Sequence, residues 1–200
     1  MPYVLTVDQI ESRHDLDRVA DAIAELSALP TVLPFVRTVG DEFQGLLADP
    51  VSVVDAILSL MRSSQWHVGL GIGAVEEPLP ADARSARGEA FLCARNAVER
   101  AKDEPSHLVV VAAHQVDHEA TDAEAGLRLL ASVRTRRTEQ GWQAVDLVGQ
   151  GHSRGEVAAM LDISRQAVSQ RLLTAQWSLE EAARPTLARL LARAEQVASG

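Results

Sequence analysis

One cysteine, Cys93, stands in 200 residues, so no disulfide can form within the chain and a thiolate metal site has no companion ligands. A lone thiol of this kind is expected at a small buried apolar position. No apolar run approaches the roughly 20 residues of a membrane span, and the first residues carry neither the basic region nor the apolar stretch of a signal peptide. The expectation is a cytoplasmic chain without a membrane partner. Basic charge is scarce as well, and the formal net charge is −9. Its distribution is uneven: residues 1–131 carry 10 Lys+Arg against 21 Asp+Glu, whereas residues 132–200 carry 9 against 7. The first part repels a polyanion, so any phosphate backbone must be met by the mildly basic remainder.

What is present is enough apolar material for a full core, 46% of the residues, in a length that suits one medium domain and a small second one. Val4 to Val7 read as a β-strand ending at Asp8, and Asp15 to Ala28 place Leu16, Val19, Ile23 and Leu26 at helical spacing. Phe35 to Val39 and Glu42 to Leu47 read as a hairpin with Gly40-Asp41 at its tip. Val51 to Met61 have helical spacing, and His67 to Val75 alternate bulky residues with glycines that admit a close backbone or a ligand. Glu76 to Arg87 read as a loop, Ala90 to Val98 as a helix and His107 to Ala112 as a strand. Residues 121–140 read as a helical connector, which places a domain over 1–120 and a second over 141–200.

The second domain carries the sharpest local signal. Ser153 and Glu156 have capping-box spacing before Val157 to Leu161. Asp162 is one of the few non-glycine residues that enter the left-handed conformation at modest cost. Ser164 then caps a helix in which Ile163, Val168 and Leu172 face Val157 and Leu161, with small Ala158 at the approach. Arg165, Gln166, Ser169, Gln170 and Arg171 remain on the outer face, where guanidinium and amide groups reach phosphates and base edges of a major groove. Ser164 to Arg171 therefore read as the recognition helix of a helix-turn-helix, with double-stranded DNA as partner. An acidic chain with so few cations gains affinity by presenting two such units, so a homodimer is expected. Beyond Pro185, Leu187, Leu190, Leu191, Ala194 and Val197 form a stripe suited to core packing or to a dimer seam, and Ser178 to Glu181 have capping-box spacing.

In the first domain the β-α-ββ order brings Asp8 and Asp41 toward one another, and paired carboxylates with phosphate oxygens are a common way to hold Mg²⁺. Arg37-Thr38-Val39-Gly40-Asp41-Glu42-Phe43-Gln44-Gly45-Leu46-Leu47 resembles the hairpin signature of the SatD family. Asp8-Gln9-Ile10-Glu11-Ser12-Arg13, Gly69-Leu70-Gly71-Ile72-Gly73 and Gly88-Glu89-Ala90-Phe91 through Arg95 are similar to its other segments. The resemblance implies an α/β (α+β) fold: a ferredoxin-like nucleotide-cyclase-type domain followed by an all-α helix-turn-helix domain. It further implies Asp8 and Asp41 as metal ligands and Arg37, Thr38, Gly40, Gln44 and Arg95 around a nucleotide-like ligand, with Mg²⁺ as cofactor. Phe91 stands where cyclases carry an asparagine, and Val39-Gly40-Asp41 replaces Gly-Gly-Asp. Both departures imply a domain that binds rather than turns over its ligand, hence a one-component transcriptional regulator. The competing expectation is a divergent cyclase or phosphotransferase using two metals at Asp8 and Asp41. A third is that the outer helix face serves a protein such as RNA polymerase.

Overall fold

The computed structural model describes residues 2–11, 16–113 and 118–198. It is a mixed α+β protein built on one five-stranded sheet. The strands are β1 (Tyr3–Gln9), β2 (Leu33–Arg37), β3 (Glu42–Leu47), β4 (Trp66–Ile72) and β5 (Leu108–Ala112). They lie in the order β2-β3-β1-β4-β5. β1 is antiparallel to both neighbours, and β5 joins β4 in parallel. Helices α1 (Val19–Leu26), α2 (Pro50–Leu60) and α3 (Glu89–Ala101) are the crossovers, which gives β-α-β-β-α-β followed by one further α-β step.

β1 is central and both its faces are covered. Tyr3, Leu5 and Val7 enter the large core with α1 and α2, whereas Val4 enters a smaller core beneath α3. The glycines of β4 admit a backbone. A Cβ on Gly69 would lie 2.2 Å from the amide nitrogen of Val98, and one on Gly71 would lie 2.1 Å from the carbonyl oxygen of Ala90. α3 therefore rests directly on the strand. β1 is longer than its apolar run, because Asp8 and Gln9 continue the ladder opposite His67 and Trp66. α1 starts at Val19, later than the spacing implied; Asp15 lies outside the described residues, as do Ser12 and Arg13 of the opening motif. Cys93 is half-buried rather than sealed in a core.

Residues 121–140 do not form one continuous helix. α4 (His118–Thr135) stops, and α5 (Glu139–Gly149) starts at Thr138, whose hydroxyl accepts from the Gly141 amide at 3.1 Å. α6 (Arg154–Met160) and α7 (Arg165–Thr174) follow, and α8 (Trp177–Ala198) closes the chain. α5, α6 and α7 enclose a separate small core of Ala144, Val145, Val157, Ala158, Val168, Leu172 and Ala175. The boundary drawn at 141–200 is shifted by the packing of α8. Leu187, Ala188, Leu191 and Ala194 belong to the large core, against α2 and α4. The stripe of α8 thus fills the core of the sheet domain, and only its fringe, such as Val197, is exposed. Nor does Ser178 open a capping box. α8 begins one residue earlier, and Glu180 is turned inward with no solvent exposure.

Glu180 is surrounded by cations. Its carboxylate pairs with Arg134 and Arg137, and with Arg184 at 2.6 Å. Burial alone would raise its carboxyl, but Arg134, Arg184 and Arg137 hold it below the ordinary glutamate value. Arg184 also reaches Asp55 on α2. Arg134 and Arg137 lie over the Trp142 ring of α5 at 4.7 and 4.8 Å, and Arg62 lies over it at 4.1 Å. Arg62 in turn makes a bidentate pair with Asp146 at 2.8 Å. This network ties the three-helix unit to the sheet domain. Glu180→Gln leaves three guanidiniums without their buried counter-charge, so the expected loss is about 3–5 kcal/mol, measured as a lower urea midpoint. In the wild type the Glu180 contribution is complete above about pH 4.3, the unfolded-state value, and is lost as the pH falls through the depressed folded value.

Candidate functional site

Strand alternation puts every second side chain of the central strands on the α3 face. Asp8 stands opposite Glu42 on β3 and His67 on β4, while Thr6 stands opposite Gln44 and Gly69. The hairpin turns tightly beyond Arg37, with the Thr38 amide donating to the Glu42 carbonyl at 2.8 Å. Gly40, with φ of 62°, takes the left-handed position that a side chain would strain. Asp41 follows it at the turn, close enough to Asp8 for the two carboxylates to repel.

At this end of the sheet the charges alternate. Arg95 of α3 places Nη2 3.1 Å from Glu42 Oε1, and the Thr38 hydroxyl donates to the same oxygen at 2.6 Å. Lys102, the only lysine of the chain, sits 3.7 Å from Asp8 Oδ2 and 3.0 Å from Glu99. Burial would pull the Lys102 ammonium down, but Glu99 and Asp8 hold it above its ordinary value. Asp8 is only 19% exposed. Burial raises its carboxyl, Lys102 opposes this, and Asp41, Glu42 and Glu99 reinforce it. His67 Nδ1 lies 3.2 Å from His107 Nδ1, and burial holds His67 below its usual value.

Next to this charged end, between the 76–87 loop and the start of α3, is a cleft of about 600 Å³. Gln44 anchors the loop by donating to the Ala83 carbonyl at 2.7 Å, and the Glu76 amide donates to the Arg87 carbonyl at 2.9 Å. Gln44, Arg84, Arg87, Phe91 and Arg95 all line the cleft.

The residues expected around a ligand thus divide. Asp8, Thr38, Gln44 and Arg95 share the α3 face, and Gly40 and Asp41 sit at the turn beside it. Arg37 does not join them: it stands opposite Phe43, whose side chain enters the large core, and pairs with Asp17 at 2.6 Å. Strand alternation explains this, since Arg37 and Thr38 point to opposite faces. Sequence reasoning missed Glu42 and Lys102. The signals that find them are period two along β3, and the spacing 95, 99, 102, which forms one stripe of α3. No group of three or more His, Cys, Asp or Glu side chains placed to hold a metal ion occurs among the described residues. Asp8 and Asp41 would supply two oxygen donors of the type Mg²⁺ takes, and a ligand would have to supply others.

In the three-helix unit Ser153 forms a reciprocal capping box with Glu156, through bonds of 3.3 and 2.8 Å. Asp162 has φ of 53°, and Ser164 accepts from the Ala167 amide at 3.1 Å. Val168 and Leu172 of α7 are buried, whereas Arg165, Gln166 and Gln170 are exposed and Ser169 and Arg171 are half-buried. Ser169 donates to the Arg165 carbonyl at 3.0 Å, and Arg171 reaches Gln143 at 3.4 Å. The Arg165 guanidinium lies over Gly155, where a Cβ would approach it to 2.9 Å.

No family model matches this chain, and comparison with curated proteins and with solved structures gives no match either. Among the described residues no helix is long and apolar enough to cross a membrane.

Asp8→Asn tests the electrostatics of the sheet end. The raised carboxyl means that the native state takes up a proton before the unfolded chain does, so ionised Asp8 weakens the fold above that value. The variant is expected to melt higher than the wild type at pH 7. The gap should narrow as the pH falls and wild-type Asp8 protonates, as read by thermal melts across pH.

Proposed function

We propose that this protein is a one-component DNA-binding transcriptional regulator. In this reading a ferredoxin-like, cyclase-type sheet domain of the SatD kind senses a nucleotide-like ligand, and α6 and α7 act as a helix-turn-helix. The observation that carries it is the pairing of two capped helices across the left-handed Asp162. α7 keeps its apolar side in the small core and leaves Arg165, Gln166 and Gln170 exposed, with Ser169 and Arg171 flanking them and Ser164 at the cap. Such a face offers both the cations that meet phosphates and the forked amides that read base edges.

The input side rests on Asp8, Asp41, Thr38, Gly40, Gln44 and Arg95. Asp8 and Asp41 are the oxygen donors for Mg²⁺ when ligand phosphates complete its shell. Two protomers present two recognition helices, and ligand occupancy changes their separation and hence operator affinity. The network around Glu180 and Trp142 is the physical link between input and output.

The second reading is a divergent cyclase or phosphotransferase, favoured by the closeness of Asp8 and Asp41. A cyclic or dinucleotide product from ATP or GTP, abolished in Asp41→Ala, establishes it; Phe91, half-buried at the cleft, offers no hydrogen bond to a ribose.

The regulator reading is tested by fluorescence anisotropy with duplex DNA from the upstream region of its own gene. The wild type is expected to bind selectively, with affinity falling steeply as salt rises. Arg165→Ala combined with Gln166→Ala should weaken the selective component by roughly 1–3 kcal/mol per lost base contact. Unchanged DNA binding in that variant assigns the face to a protein partner instead.

A further inference from the structure

The cleft beside α3 has a lining of which the reading above uses only Gln44 and Arg95. Arg84 and Arg87 come from the loop and Arg95 from the second turn of α3, and all three line one hollow. The Arg84 guanidinium has only a 3.4 Å contact to Asp82, and the Arg87 side chain pairs with no other side chain among the described residues. Three arginines line one concavity, and planar guanidinium forks suit phosphoryl oxygens. Glu76, Glu89 and Phe91 line the same cleft. Carboxylates disfavour a bare polyanion, yet accept hydroxyl or amino donors from the rest of a ligand.

We propose that this cleft is the binding site of a phosphate ester, whose phosphoryl group docks on Arg84, Arg87 and Arg95 and whose hydrogen-bond donors meet Glu76 and Glu89. The proposal refines the input side of the regulator reading and names its ligand chemistry. Arg95 gives the site its consequence. The guanidinium that would meet the phosphoryl group also holds the buried Glu42 carboxylate, so occupancy draws on the pair that neutralises the Asp8 end of the sheet.

The test is isothermal titration of the full chain in EDTA, which removes any contribution from a metal at Asp8 and Asp41. The probes are ATP, glucose 6-phosphate, adenosine and glucose. Saturable binding of at least one phosphate ester is expected, well above that of its unphosphorylated counterpart. Which ester binds separates a nucleotide from a sugar phosphate. Arg87→Ala, at an exposed position, should weaken binding about tenfold or more. Arg100→Ala, exposed on α3 outside the cleft, should leave it unchanged. The proposal is overturned if neither ester binds, if the unphosphorylated probes bind equally well, or if Arg84→Ala combined with Arg87→Ala has no effect. DNA binding by the ligand-free wild type is measured alongside: DNA binding without ester binding rejects only the cleft assignment, and ester binding without DNA binding rejects only the regulator.

Discussion

The buried carboxylate of Glu180 is the contact on which the arrangement of the two cores depends. Removing a charge from water is costly, and it is tolerated only where the partners are close and numerous. Here the partners come from α4, from the stretch between α4 and α5, and from α8 itself. Each guanidinium has a second task. Arg184 holds α2 through Asp55, and Arg134 and Arg137 cover the Trp142 face that α5 presents. The three-helix unit is consequently gripped on one side by α8 and on the other by Arg62 from the end of α2.

The Asp8 end of the sheet obeys a different constraint. Antiparallel pairing of β1 with β3 and β4 sets Asp8, Glu42 and His67 side by side, and close packing of α3 on glycines leaves no room for bulky cover. The charges are balanced instead from above, by Arg95 and Lys102 one stripe along α3. Burial raises the Asp8 carboxyl, Lys102 opposes it, and the negative charge of Asp41, Glu42 and Glu99 adds to it, so Asp8 holds its proton longer than usual.

Local signals made much of this legible. The hairpin, the glycine-bearing strand, the capping box at Ser153 and the cap at Ser164 all depend on residues within a few positions of one another. Each was readable from spacing and turn chemistry. Long-range contacts were not. α8 reads as an amphipathic helix whatever it covers, so its place in the sheet core could not be told from a dimer seam. Glu180 reads as a first-turn acid of the kind usually exposed, and only the convergence of two distant arginines, Arg134 and Arg137, with Arg184 one turn along α8 turns it inward. A motif spells residues consecutively, whereas a strand sends neighbours to opposite faces, so Arg37 parts from Thr38 and pairs with Asp17. The cap at Thr138 lies within an arginine-rich stretch that hides it, and with it the break between α4 and α5.

The central claim is that α6 and α7 read DNA as one output of a two-part protein. It is tested most directly by selecting bound sequences from a random duplex library with the purified full chain. The account predicts enrichment of a motif with two-fold symmetric half-sites, their centres about one helical turn, roughly 10 base pairs, or a multiple of that apart. A library that passes through repeated rounds without any enriched sequence would contradict it.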